Sequence, residues 1–201
     1  MNILSKDFYL QDTRKVARQL LGKLLIREVA GIRYSGIIVE TEAYRGFNDT
    51  ACHAHKGPTT RCEVMFREGG FVYVYLTYGV HNMLNLVTEK STFPAAVLIR
   101  AVEPVDGVEK MAVNRNVKNV EQLTSGPGKL TKAFDIDRNL SGIVATRGEH
   151  VWVEIPKEMP NMKIGSSERI GIDYANEDAR SWKWRYFIYG NRFVSKYCPK
   201  K

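Results

Sequence analysis

Residues 34–44 read YSGIIVETEAY, and they follow a second β-rich run, KLLIREV at 23–29, across Ala30-Gly31. Two such runs joined by a tight turn are the signature of an antiparallel hairpin. If 36–44 is one continuous strand, alternation puts Ile38, Glu40, Glu42 and Tyr44 on one face and Ile37, Val39, Thr41 and Ala43 on the other. Two carboxylates then stand on one face of an otherwise apolar strand, their Cα atoms roughly 6.5–7 Å apart. Each charge disfavours ionisation of the other, which can tune a general base. The alternative is that one or both pair with arginines at the strand end and serve the fold alone.

Outward from this hairpin, Thr13–Leu21 carries an apolar stripe of Val16, Leu20 and Leu21, with Asp12 or Thr13 as cap and Gly22 as stop, and so reads as a short helix. Beyond Tyr44 the strand period breaks into RGFNDTACHAHKGPTTRCE (45–63), a long polar loop with room for one helical turn. Loops of that length in compact domains are usually functional or disordered, so this one is a site candidate. Further β-rich runs follow at Phe71–Tyr78, Met83–Thr88 and Ala96–Val102, then helical patterns at DGVEKMAVNR (106–115) and GKLTKAFD (128–135), then strands at VWVEI (151–155) and RYFIYG (185–190). Clustered strands with helices gathered between them specify an α+β fold, a single domain over 1–201 with a mainly antiparallel sheet.

The 201 residues are 44% hydrophobic and 26% charged, enough apolar content for a real core. No run approaches the ~20 apolar residues of a membrane helix, and the start lacks a signal-peptide core, so an intracellular protein is expected. Cys52, Cys62 and Cys198 are an odd number without a C-x-x-C pair and read as free thiols. A net charge of +8 favours a polyanionic partner without requiring one.

Several patterns carry possible chemistry. His53-Ala-His55 could join Glu40 and Glu42 in a mixed metal site, but H-x-H is a weak signal and no zincin or zinc-deaminase pattern accompanies it. SGPGKL (125–130) is no phosphate loop, since Leu123 and Leu130 stand where Gly and Ser/Thr belong. What remains is a Gly-Pro-Gly turn with Lys129 at a helix start, able to hold one phosphate or simply to enter a helix. Phe71–Gly79 holds Tyr73 and Tyr75 in register, with Tyr78 at the strand end on the other face. Such aromatics are core, or else Tyr44, His53 and Tyr75 stack a base while Tyr78 wedges between bases. Asn85 and Arg100 are polar residues inside apolar strands, where an unpaired group costs roughly 1–3 kcal/mol. They have structural partners or line a pocket.

Taken together, IVETEAY (38–44), His53, VMF (64–66), YVYLTYGVHNMLN (73–85), VLIRAVEP (97–104), SGPGKL (125–130) and RIGIDYANEDARSWKWRYFIYGN (169–191) resemble the alkyladenine (3-methyladenine) DNA glycosylase family over nearly the whole chain. The resemblance implies a curved, open-barrel or roll-like sheet and a monofunctional base-excision repair enzyme. Such an enzyme flips an alkylated or deaminated purine from duplex DNA and hydrolyses its N-glycosidic bond, leaving an abasic site. It implies Glu42 as the carboxylate that activates water, Arg100 and the main-chain carbonyl of Ile170 as that water's other contacts, and Tyr44, His53 and Tyr75 as the base pocket. Asn85 would crowd the 2-amino group of guanine, Tyr78 would fill the gap in the stack, and Lys129 and Arg61 would touch backbone phosphate. Glu40 is left as structural, pairing with a nearby basic group. The resemblance further implies no cofactor, no metal, a monomer, damaged double-stranded DNA as partner, and a location with the DNA. Cys62, Glu63 and Val80 depart from the residues common in the family. Two other function classes are compatible with the residues: a metal-dependent hydrolase or nuclease, and a non-catalytic module that binds damaged DNA.

Overall fold

The hairpin forms as read: β1 (Leu24–Val29) and β2 (Ile32–Arg45) pair antiparallel from Val29↔Ile32 to Leu24↔Ile37. Ala30 and Gly31 supply φ of 49° and 74°, the left-handed turn whose twist suits a two-residue hairpin. In this computed structural model, residues 2–159 and 161–195 are described. The other strands are β3 (Val72–Thr77), β4 (His81–Val87), β5 (Ala95–Asp106), β6 (Val151–Glu154), β7 (Ile164–Ser167) and β8 (Arg185–Ile188). They make one mixed α/β domain around an eight-stranded antiparallel sheet in the order β3-β4-β5-β2-β1-β6, with β8 pairing both β2 and β7. The length of β2 makes this possible. Its first half is flanked by β1 and its 40–42 segment by β8, while β5 runs along its other edge.

Helices α1 (Lys6–Tyr9), α2 (Thr13–Leu20), α3 (Val108–Arg115), α4 (Pro127–Ala133) and α5 (Glu177–Ser181) surround the sheet. The expected cap holds: the Asp12 carboxylate accepts from the backbone N–H of Arg14 and Lys15. Val16, Ala17 and Leu20 of α2 are buried in the main core, and Thr41 Oγ1 of β2 donates to the Ala17 carbonyl at 2.8 Å.

Three readings are corrected. Alternation does not continue unbroken through 36–44, because the β2–β5 register shifts between Ile38 and Glu40 and again between Glu40 and Thr41. Ile38 and Val39, neighbours expected on opposite faces, consequently both lie fully buried in the main core. Tyr78 is not on a strand face but in the turn after β3, at φ 50°. Strand β5 extends past Val102 through Pro104 to Asp106, where Ser35 Oγ holds the Asp106 carboxylate at 2.6 Å. Cys52 and Cys62 are free and buried, whereas Cys198 lies outside the described residues. Among the described residues, no helix is long and apolar enough to cross a membrane.

Candidate active site

The sheet register assembles the site. Glu42 of β2 lies opposite Leu98 of β5, Leu98 opposite Asn85 of β4, and Asn85 opposite Tyr73 of β3. Directly opposed residues share a face, so these four form one row across four strands. Arg100, Met83 and Tyr75 lie two positions on from Leu98, Asn85 and Tyr73, with Tyr75↔Met83 paired, whereas Tyr44 lies on the other side of that row, opposite Ala96 of β5. Over this face lies a cavity of about 510 Å³, walled by Tyr44, Tyr75, Asn85 and Arg100. Segment 46–62 contributes His53 and Arg61, segment 168–174 contributes Ile170 and Tyr174, and the β3–β4 turn contributes Tyr78.

Glu42 is fully buried just behind that wall. Its Oε1 accepts the Ile170 N–H at 2.7 Å, its Oε2 accepts the Tyr44 hydroxyl at 2.8 Å, and Arg100 Nη1 makes an ion-pair contact at 3.1 Å. A carboxylate offers about four acceptor positions, so one remains for a water proton. Burial opposes the charge on Arg100, but the carboxylates of Glu42 and Glu40 outweigh it and hold the guanidinium even more firmly protonated than usual. Burial, reinforced by Glu42, pushes the Tyr44 phenol well above its ordinary range, so it stays a donor.

His53 sits edge-on to Tyr75, with ring centroids 4.5 Å apart at 82°. Its Nδ1 is 3.3 Å from the Tyr73 hydroxyl, whose own proton is held by burial. With the imidazole proton on Nε2, Nδ1 accepts from the Tyr73 hydroxyl; with it on Nδ1, the ring donates to that hydroxyl instead. Burial, with Arg61 and His55 nearby, pulls the His53 pKa down to about 4. We expect the His53 ring resonances to titrate with a midpoint near 4, keeping the ring neutral above that pH. A midpoint at the ordinary 6.5 would mean that the pocket is wet.

Asn85 donates its amide to the carbonyls of Tyr73 (3.2 Å) and Met83 (3.1 Å), which pins it in the cavity wall. Arg61 lies over the Tyr75 ring at 5.2 Å and reaches the Leu76 carbonyl at 3.4 Å. Lys129 stands apart from the cavity, in the first turn of α4 with Nζ 3.4 Å from Ser125 Oγ. Tyr78 projects from its turn at 88% exposure, with Val80 exposed beside it. Thus Glu42, Tyr44, His53, Tyr75, Asn85, Arg100 and Ile170 converge, Arg61 and Tyr78 border the opening, and Lys129 does not join them.

The metal reading finds no support in the arrangement. Glu40 and Glu42 face arginines, His53 faces Tyr73, and His55 Nδ1 lies 2.8 Å from the Cys52 carbonyl. Among the described residues, no three His, Cys, Asp or Glu side chains are grouped to hold an ion.

Sequence reasoning missed the clamp behind the site. Arg169 grips Asp49 with two nitrogens at 2.6 and 2.8 Å and also donates to the carbonyls of Ala43 (2.9 Å) and Ala179 (3.1 Å). Its guanidinium lies over the rings of Tyr44 (4.8 Å) and Trp184 (5.1 Å). One side chain thus ties the 46–62 segment, β2 and α5 together and delivers its neighbour Ile170 to Glu42.

Residues 7–192 match the family described as methylpurine-DNA glycosylase. A relative from Methanocella arvoryzae is 48% identical, the alignment covering 99% of this chain and 98% of the relative. One from Clostridium perfringens (strain SM101) is 44% identical over 96% and 98%, and one from Desulfitobacterium hafniense 43% over 97% and 99%. All three carry the name "Putative 3-methyladenine DNA glycosylase".

Proposed function

Because the chain belongs to the methylpurine-DNA glycosylase family and is a hydrolase of N-glycosyl bonds acting on methylated purines in DNA, we propose that Glu42 activates the water that cuts the bond. The observation that carries this reading is the placement of Glu42: an ionisable carboxylate with one acceptor position left, behind a cavity whose walls are the flat rings of Tyr44 and Tyr75. A purine turned out of the duplex stacks between aromatic rings, with its sugar carbon toward Glu42 and Arg100. Glu42 takes the proton of the attacking water and stabilises the positive charge that develops on the deoxyribose. Arg100 and the Ile170 carbonyl orient that water, and no covalent enzyme intermediate is formed.

Neutral His53, with its proton on Nε2, donates to an acceptor on the purine. Asn85, pinned by two carbonyls, cannot step aside for the 2-amino group of guanine, which excludes the normal base. Tyr78 fills the space that the extruded nucleotide leaves. Arg61 and Lys129 contact backbone phosphates on either side. The substrate range in this reading covers alkylated purines and the neutral lesions hypoxanthine and ethenoadenine. All of 1–201 acts as one catalytic domain, a monomer working where the DNA is.

The test is release of hypoxanthine, ethenoadenine and methylated bases from duplex DNA in the presence of EDTA, with duplex affinity followed as salt is raised. Release should persist in EDTA, and log Kd should rise linearly with log salt as counterions are displaced from phosphates. Tight binding without any abasic product would instead favour a lesion-binding module.

A further inference from the structure

Glu40 has no part in the reaction just described, yet it is fully buried and accepts four hydrogen bonds. Its Oε1 takes Arg100 Nε at 2.9 Å, Arg185 Nε at 2.7 Å and Ser195 Oγ at 2.7 Å, and its Oε2 takes the Ser195 N–H at 2.7 Å. Arg185 is fixed in turn by Ser167 Oγ at 3.0 Å and the Ser195 carbonyl at 3.3 Å. The two register shifts of β2 against β5 flank Glu40, and Arg100 has no partner in that register.

Guanidinium and carboxylate groups prefer to meet fork to fork through two parallel hydrogen bonds. An arginine beside Glu42 alone would close on both of its oxygens and fill the acceptor position that a water needs. Here Arg100 is divided between two carboxylates, with Nε on Glu40 and Nη1 on Glu42. The guanidinium is planar and its donors are fixed relative to one another, so anchoring Nε sets the direction of Nη1.

We propose that Glu40 is a positioning residue for the reaction: it draws Arg100 off Glu42 into a single contact, and Ser195 locks Glu40 in the orientation that does so. The inference rests on the reading of Glu42 and Arg100 as the reacting centre. Glu40→Gln removes the charge that holds Nε, Arg100 closes on Glu42, and the bond-breaking step slows. Binding of the lesion is unaffected, because Glu40 does not line the cavity.

The experiment is single-turnover release of hypoxanthine from duplex DNA, with duplex affinity measured alongside and folding checked by circular dichroism at the assay temperature. Glu40→Gln should slow release about 10- to 100-fold, the scale of a misplaced reacting group, with Kd unchanged. Ser195→Ala, which leaves both arginine pairs in place, should slow it about 2- to 10-fold, the effect of one lost hydrogen bond. In an Arg100→Gln background, Glu40→Gln should add nothing, since there is no longer an arginine to position.

A wild-type release rate in Glu40→Gln, with Glu42→Gln inactive, overturns the proposal. So does an equal loss with and without Arg100, which would mark Glu40 as a fold residue only. If Glu40→Gln does not fold, Ser195→Ala decides: unchanged release there counts against Glu40. Full release in Glu42→Gln instead removes the reacting centre itself, a separate failure.

Discussion

Glu42→Gln is expected to slow base release by about 100- to 10,000-fold, the range contributed by a positioned general base, with duplex affinity unchanged. The substitution preserves size and keeps an oxygen for the Ile170 N–H. In the proposed mechanism it removes the basic oxygen that would take the proton from water and the charge that would stabilise the developing cation. Arg100 retains its pair with Glu40, so the variant should fold, and the defect should lie in the rate constant rather than in binding. Release within about tenfold of wild type would remove Glu42 from the chemistry, because loss of a general base costs at least about 100-fold.

The largest effect on stability is expected from Asp49→Asn. Asp49 and Arg169 are both wholly out of solvent, and Asp49 also accepts the backbone N–H of Arg45 (3.1 Å) and Ala51 (3.1 Å). Neutralising one partner leaves a buried guanidinium uncompensated, which costs about 3–5 kcal/mol. Arg169 has little slack to absorb this, since its Nε already lacks a hydrogen-bond partner among the described residues. For a chain of this length each kcal/mol moves Tm by about 2–4 °C, so a drop of about 6–20 °C is expected in calorimetry. Asp49→Asn together with Arg169→Met should cost less than Asp49→Asn alone, because the orphaned charge is gone. A single variant that melts with the wild type would mean that water solvates the pair.

The contrast between these two residues separates what sequence makes readable from what it does not. Strand alternation is local and marks Glu40 and Glu42 only as a pair on one face; it is the resemblance to the family that singles out Glu42, and the row through Leu98, Asn85 and Tyr73 follows once the strands pair. The helix cap at Asp12 and the turn at Ala30-Gly31 are equally local. Asp49 and Arg169 are 120 positions apart, each in an irregular segment, and no periodicity links them. The same holds for Arg185 and Ser195, which make Glu40 part of a network rather than a single ion pair. Strand β7 escaped because IGSS offers no alternating apolar side chains; it exists by pairing with β8. The shift at Ile38–Glu40 arises from packing β5 against β2, which neither strand encodes alone.

Those separations also bear on the order in which the site is completed during synthesis. Ile170 meets Glu42 across 128 positions, and Ser195 meets Glu40 across 155. A nascent chain on the ribosome can complete the hairpin and much of the sheet long before residue 195 has left the exit tunnel, since chains fold progressively from the N-terminus during synthesis. Until residue 170 has emerged and folded, Glu42 lacks its backbone donor, and until residue 195 has, Glu40 lacks its serine. The arrangement around the two carboxylates is therefore among the last parts of the molecule to be completed.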